Sequence, residues 1–335
     1  MIFLNGYERI SKYKSHLMGL AILVVVYGHT LYYKSGLQNY EDLHFTIWYT
    51  LGSVEMFMFV SGFGIFQSLR KNRDAYTFYG RRLQRLAPSY LPVIAVWVIY
   101  SMIFNDMRVG EAVGNLTSFG WWGLLDQQFN WYVPATVILY LLSPLFYDCL
   151  TKWKRPWFGV ALLFVLIVSL WRSHILMAIS RFPTYYLGMY FGMLYAEKQT
   201  PSKKMIIGWS IAAVLAMAVV PYYFIYRKNT LWYYGMYWIL FFFSTPTCMF
   251  GVTKLLEWQD KCKVTRLWNR LIEFLGNRSF EIYLVHLAFF YVMLDMGFRT
   301  WKAWIVFAFV GITLGCIYNY LVNLVLSRVK KKQKI

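Results

Sequence analysis

Acidic residues are scarce in this chain. Asp and Glu number 15 against 34 Lys and Arg, and charged residues of both signs make up 15% of 335 positions. An ion-coupled pore needs carboxylates at the midplane of several broken spans, and this sequence offers few of them. Cysteine is scarce too. Cys149, Cys248, Cys262 and Cys316 form no CxxC pair and no ligand spacing, so neither a disulfide framework nor a metal site is expected. No internal repeat, low-complexity linker or soluble domain interrupts the chain. The net charge of +19 comes from basic residues dispersed over loops, which argues against a nucleic-acid partner.

What the chain has is apolar length. Hydrophobic residues are 59% and aromatic residues 21% of the composition, and runs of about 20 apolar residues recur from end to end, matching a hydrocarbon core of roughly 30 Å. Spanning segments satisfy their backbone groups internally as helices. The expected fold is an all-α integral membrane protein of about ten transmembrane helices, near 17–34, 44–69, 88–105, 133–150, 157–173, 182–196, 205–226, 232–253, 279–298 and 301–327. A single domain then fills 1–335, with a short basic tail at 328–335 suited to anionic lipid headgroups. The first run follows Arg9, Lys12 and Lys14 without a small-residue cleavage site, so it reads as a retained signal anchor. If the spans alternate, one side receives 26 of the 34 Lys and Arg residues and the other 8. The positive-inside rule places that basic side, with both termini, in the cytoplasm of a multi-pass cell-membrane protein.

Polar residues at membrane depth are costly and point to function. The run AILVVVYGHTLYY (21–33) contains His29, which follows Lys14 by 15 residues, or about 22 Å of helix, and so sits in the outer half of the membrane. A buried structural histidine is the plain alternative. The next run, GSVEMFMFVSGFGIF (52–66), places Glu55 at a similar depth, where its carboxylate can fix the tautomer of a basic imidazole. Its Ser61-Gly62 break, ahead of Gly64, allows a helix or a ligand to approach the backbone. Just inside, FYGRRLQRLAPSYLP (78–92) crowds Arg81, Arg82 and Arg85, with Arg82 and Arg85 on one helical face, suited to phosphate oxygens as well as to ordinary inside charge. On the outer side LLDQQFNWYVPATVILYLLSP (124–144) presents Trp131 and Tyr132, either an aromatic belt or a sugar-stacking platform.

These elements, in this order, resemble acyltransferase family 3, membrane acyltransferases that act on surface polysaccharides and related glycans. The apolar run ending in His29 resembles the family's opening motif, FMFVSGFGIF its F-F-x-x-SGF-L element, and RRLQRLAP its RR-x-x-R-I-x-P element. NWYVPATVILYLLSP, SRFPTYYLGMYFGML and LGNRSFEIYLVH resemble three later spans, so the likeness runs from about Lys14 to His286. Where the family usually has Arg eleven positions before the histidine and Asp three before that, this chain has Met18 and Ser15; Lys14 or His16 is available to supply the charge. The resemblance implies an O-acetyltransferase with acyl-CoA, usually acetyl-CoA, as cytoplasmic co-substrate and no bound cofactor. On this reading Arg81, Arg82, Arg85, Ser61 and Gly62 serve the donor and His29 is the general base with Glu55 beside it. Trp131, Tyr132, Arg181 and His286 line the entry of a glycan or lipid-linked sugar. His44 and His174 lie near membrane edges and carry no chemistry. Membrane lipids are the other partners, and a homo-oligomer is compatible. The competing reading is a polytopic transporter or flippase for a polysaccharide precursor.

Overall fold

A computed structural model describes residues 5–29, 52–154, 156–169, 175–221, 237–298 and 300–332. Every regular element among them is a helix: α1 (Gly6–His29), α2 (Ser53–Lys71), α3 (Ala75–Phe104), α4 (Val109–Thr117), α5 (Tyr132–Thr151), α6 (Pro156–Ser169), α7 (Leu176–Ile179), α8 (Phe182–Ala196), α9 (Lys203–Pro221), α10 (Tyr237–Gln259), α11 (Lys263–Gly276), α12 (Ser279–Asp295) and α13 (Trp301–Lys332). The apolar runs at 133–150 and 182–196 coincide with α5 and α8 to within a residue. The run at 88–105 is only the later part of α3, so the arginine cluster lies inside that helix rather than ahead of it. Asp74 starts α3 early by accepting a hydrogen bond from the Thr77 amide at 2.7 Å. Helices α4, α7 and α11 have no counterpart among the expected spans. Residues 30–51 and 170–174, with His44 and His174, and parts of the runs at 205–226 and 232–253 lie outside the described residues.

Among the described residues three stretches are long and apolar enough to cross a membrane by length and composition: Ala75–Phe104, Tyr132–Thr151 and Ile305–Arg328. Helices α2 and α8 are more polar or shorter for a physical reason. They form the centre of the bundle, where neighbouring protein, not lipid, is their solvent. Their contact is made through glycine. A Cβ on Gly62 would lie 2.0 Å from the Tyr185 carbonyl oxygen, and one on Gly188 would lie 2.1 Å from that of Phe59. Small residues thus let the two backbones touch, as at membrane helix interfaces generally. Gln67 seals the far end by donating from Nε2 to the Gly192 carbonyl at 2.6 Å.

Around this pair, α1 packs against α2, α10, α11 and α12. At its basic end, Tyr13 donates to Asp260 Oδ2 at 2.7 Å and Asn269 donates to Asp260 Oδ1 at 2.8 Å, tying α1, the end of α10 and α11 together. Burial pushes the Asp260 carboxyl up, but these two hydrogen bonds, together with the nearby Lys12 and His16, hold the group below the usual carboxylate range. Helix α12 is clamped between α3 and α13 by Glu281. Ser89 donates to one of its oxygens at 2.5 Å and Asn319 to the other at 3.1 Å. Gly311 and Gly315 let α13 approach His286 and Ile282 closely, which fixes the height of His286 in the bundle.

Candidate active site

His29 is the last described residue of α1 and is partly exposed, whereas His286 sits midway along α12 with none of its surface exposed. His286 Nδ1 lies 2.8 Å from the carbonyl oxygen of Ile282, one turn earlier. A carbonyl only accepts, so Nδ1 carries the proton and donates. In the neutral ring, Nε2 is then a lone pair, and it faces His29 Nδ1 at 3.1 Å. His29 must donate from Nδ1. The pair's hydrogen bond therefore assigns the His286 tautomer and has His29, whose ring also bonds the Val25 backbone, donate from Nδ1, so that Nε2 is the His29 nitrogen outside that bond. Phe290, one turn beyond His286, lies 5.5 Å from the His29 ring and walls its apolar side.

This arrangement corrects the expected partner of His29. Among the described residues Glu55 makes its ion pair with Arg181, Nε to Oε1 at 3.2 Å, and none with His29. Both side chains are nearly buried, 5% and 12% exposed, and a buried carboxylate takes the strongest cation within reach. Arg181 starts α8, donates from Nη1 to the Met177 carbonyl, and stacks its guanidinium 4.7 Å from the Trp131 ring. His286 is corrected as well. It was expected at the acceptor's entry, but both of its nitrogens are engaged, by Ile282 and by His29, so it has no nitrogen left for a ligand.

Trp131 and Tyr132, at the start of α5, close the space between the ion pair and the histidines. Tyr132 meets Trp131 at 6.1 Å, Phe57 at 6.1 Å and Tyr283 at 5.2 Å between ring centroids, and Tyr283 meets His286 at 5.8 Å. The loop before α5 is pinned by Asn115, whose side chain donates to the carbonyls of Glu111 and Gln127 and accepts from the Phe129 amide. Tyr283 was missed in the sequence, although its place three residues before His286 in EIYLVH puts both on one helical face.

At the opposite end of α2, Arg82 donates from Nη2 to Ser68 Oγ at 2.8 Å and lies between the Phe78 and Tyr140 rings. Arg81 and Arg85 are exposed, and Arg81 donates from Nε to the Thr77 carbonyl. Ser61 is partly exposed on the same helix. Gly62 is not available to a ligand, because Tyr185 and Met189 occupy the space beside it. The glycine of that break that faces open space is Gly64, where an added Cβ would meet nothing within 4 Å. From Glu55 to Ser68 is 13 residues, or about 20 Å of helix. Near the departed motif position, Met18 and Lys14 are partly buried and exposed respectively, and His16 is buried with its ring 5.2 Å from Tyr13. Among the described residues no group of three His, Cys, Asp or Glu side chains gathers as metal ligands would.

A family model described as an acyltransferase domain, acyltransferase 3, matches residues 16–322. The chain belongs to that family. The match covers both ends of the site, from the helix carrying His29 to the one packed against His286. Among curated proteins it is similar to the "Regulator of hypoxia-inducible factor 1" of Caenorhabditis elegans, 28% identical over 136 residues. That similarity takes in 35% of this chain and 26% of the worm protein, so the chain spans only about a quarter of that relative. No solved structure matches the chain.

Proposed function

We propose that the protein moves an acetyl or similar acyl group from cytoplasmic acyl-CoA to a hydroxyl of an extracytoplasmic or lipid-linked glycan, with His29 Nε2 as general base. The observation that carries this reading is the pair of imidazoles, in which the partly exposed member, His29, keeps Nε2 outside their shared hydrogen bond. The acceptor's O–H gives its proton to His29 Nε2 as the oxygen attacks the thioester carbonyl. His29 Nδ1–H stays directed at His286 Nε2, so the new imidazolium keeps its hydrogen bond. When the tetrahedral intermediate collapses, the C–S bond breaks and the departing thiolate recovers the proton from His29. Ester and free CoA leave.

The placement of the arginines supports two substrate sides. Arg82 and Arg85 lie on α3 beside the end of α2 remote from His29, where an anionic donor head would be held while its thioester reaches the imidazole. Trp131, Tyr132 and Arg181 form the aromatic and cationic entry for the sugar on the other side. The architecture that goes with this is ten spans in the plasma or inner membrane with both termini cytoplasmic, an orientation that the asymmetry of basic loops supports. A reporter fused after Ile335 should therefore be cytoplasmic. An extracytoplasmic signal would reverse the donor and acceptor sides.

Purified protein in detergent, given labelled acetyl-CoA and a polysaccharide acceptor, tests the reaction itself. Losing a charge-assisted hydrogen bond costs about 1.5–3 kcal/mol, so Arg82→Ala and Arg85→Ala should each raise the KM for acyl-CoA roughly ten- to a hundredfold. Lys71→Ala should leave it unchanged, because isolated surface charge contributes little. Equal, small effects at all three positions would reduce the arginines to topological charge.

A further inference from the structure

Helix α11 carries three different faces. The first holds Asn269, Ile272, Leu275 and Gly276, all buried, and it packs on α1. The contact is close: a Cβ on Gly276 would lie 1.7 Å from the Ser15 carbonyl oxygen, and one on Gly19 would lie 2.0 Å from that of Ile272. The second face is the stripe Val264, Leu267, Trp268, Leu271 and Phe274, spaced by three or four residues and between 44 and 80% exposed. The third carries Lys263, Arg266 and Arg270 with Glu273, all exposed.

A helix lying on a protein in water needs one apolar face and turns polar residues outward over the rest. Here a second apolar face, rich in Trp, Phe and Leu, stands between the buried seat and a basic arc. That pattern belongs to helices that lie in a membrane interface. Arg278 stacks its guanidinium 3.6 Å from the Phe274 ring at the rim of the stripe, and the exposed Leu255 and Trp258 near the end of α10 add apolar surface to the segment leading into α11. The charged arc is basic by three to one, which favours anionic headgroups over a neutral surface.

We propose that α11 lies in the plane of the cytoplasmic leaflet, its apolar stripe among acyl chains and Lys263, Arg266 and Arg270 against anionic phospholipid headgroups. The choice of leaflet rests on the orientation argued under Proposed function. The immersion does not. Hydropathy places this segment in a loop because the alternation of basic and apolar residues averages out, and only the partition into three faces separates them.

The test uses the full chain with Cys149, Cys248, Cys262 and Cys316 replaced and one nitroxide label at a time, introduced at Leu267→Cys, Leu271→Cys or Arg270→Cys. The protein is placed in nanodiscs of phosphatidylcholine alone or with phosphatidylglycerol added. Labels at 267 and 271 should be several-fold more accessible to oxygen than to a nickel chelate, the label at 270 the reverse. Adding phosphatidylglycerol should deepen the first two. A nickel-accessible stripe overturns the proposal. So does a stripe shielded from both reagents, which would mean a second protein copy or another partner, and so does a depth indifferent to anionic lipid. Photo-crosslinking of the unmodified protein by a diazirine lipid, with adducts expected between 264 and 274, gives the same decision without cysteine replacement. Because neither measurement depends on which side the termini occupy or on catalysis, their failure is distinguishable from failure of the functional reading.

Discussion

His29→Ala should fold, bind acyl-CoA and lose about 10²–10⁴-fold in turnover, the usual contribution of a positioned general base. The geometry also predicts what happens one residue away. His286 touches His29 and has no free nitrogen of its own, so it acts by accepting the Nδ1 proton and steadying the imidazolium. His286→Phe removes that acceptor while keeping an aromatic volume. The loss should be that of one hydrogen bond to a charged group, about 1.5–3 kcal/mol or roughly ten- to a hundredfold, with the KM for acyl-CoA unchanged. A purely structural His286 would instead lower stability and leave the kcat of the surviving protein intact. Steady-state kinetics with thermal unfolding on the same preparations separates the two. Near-normal transfer by folded His29→Ala would end the mechanism.

How much of this was legible beforehand differs between quantities along a helix and quantities between helices. Apolar length set α5 and α8 almost to the residue. Azimuth was not legible. Spacing placed Glu55 and His29 at similar heights on antiparallel neighbours, but which way each side chain turns depends on how α2 and α8 approach through Gly62 and Gly188. That approach presents Glu55 to Arg181, 126 positions later in the chain. Gly62 was assigned to the donor for the same reason: a helix-packing glycine and a ligand-facing one look alike in sequence, and only the neighbours distinguish Gly62 from Gly64. The His29–His286 pair spans 257 positions and no periodicity connects them. Helix α11 was lost to averaging, since its charges cancel the hydropathy of its stripe.

The Glu55–Arg181 pair supplies the other large effect. Removing one partner of a buried ion pair leaves an uncompensated charge and typically costs about 3–5 kcal/mol, so Glu55→Gln and Arg181→Gln should each lower the unfolding temperature in detergent markedly. The Glu55→Gln/Arg181→Gln double variant removes both charges and should recover most of that loss, a coupling read directly from a double-mutant cycle. Activity then distinguishes scaffold from site. If the pair only braces α2 against the start of α8, the double variant recovers transfer together with stability. If the guanidinium over Trp131 also meets the sugar, as its place at the entry suggests, the stable double variant should still show a raised KM for the acceptor at unchanged KM for acyl-CoA. Full recovery of acceptor KM would remove Arg181 from the binding surface and leave Trp131 and Tyr132 to recognise the sugar by stacking alone.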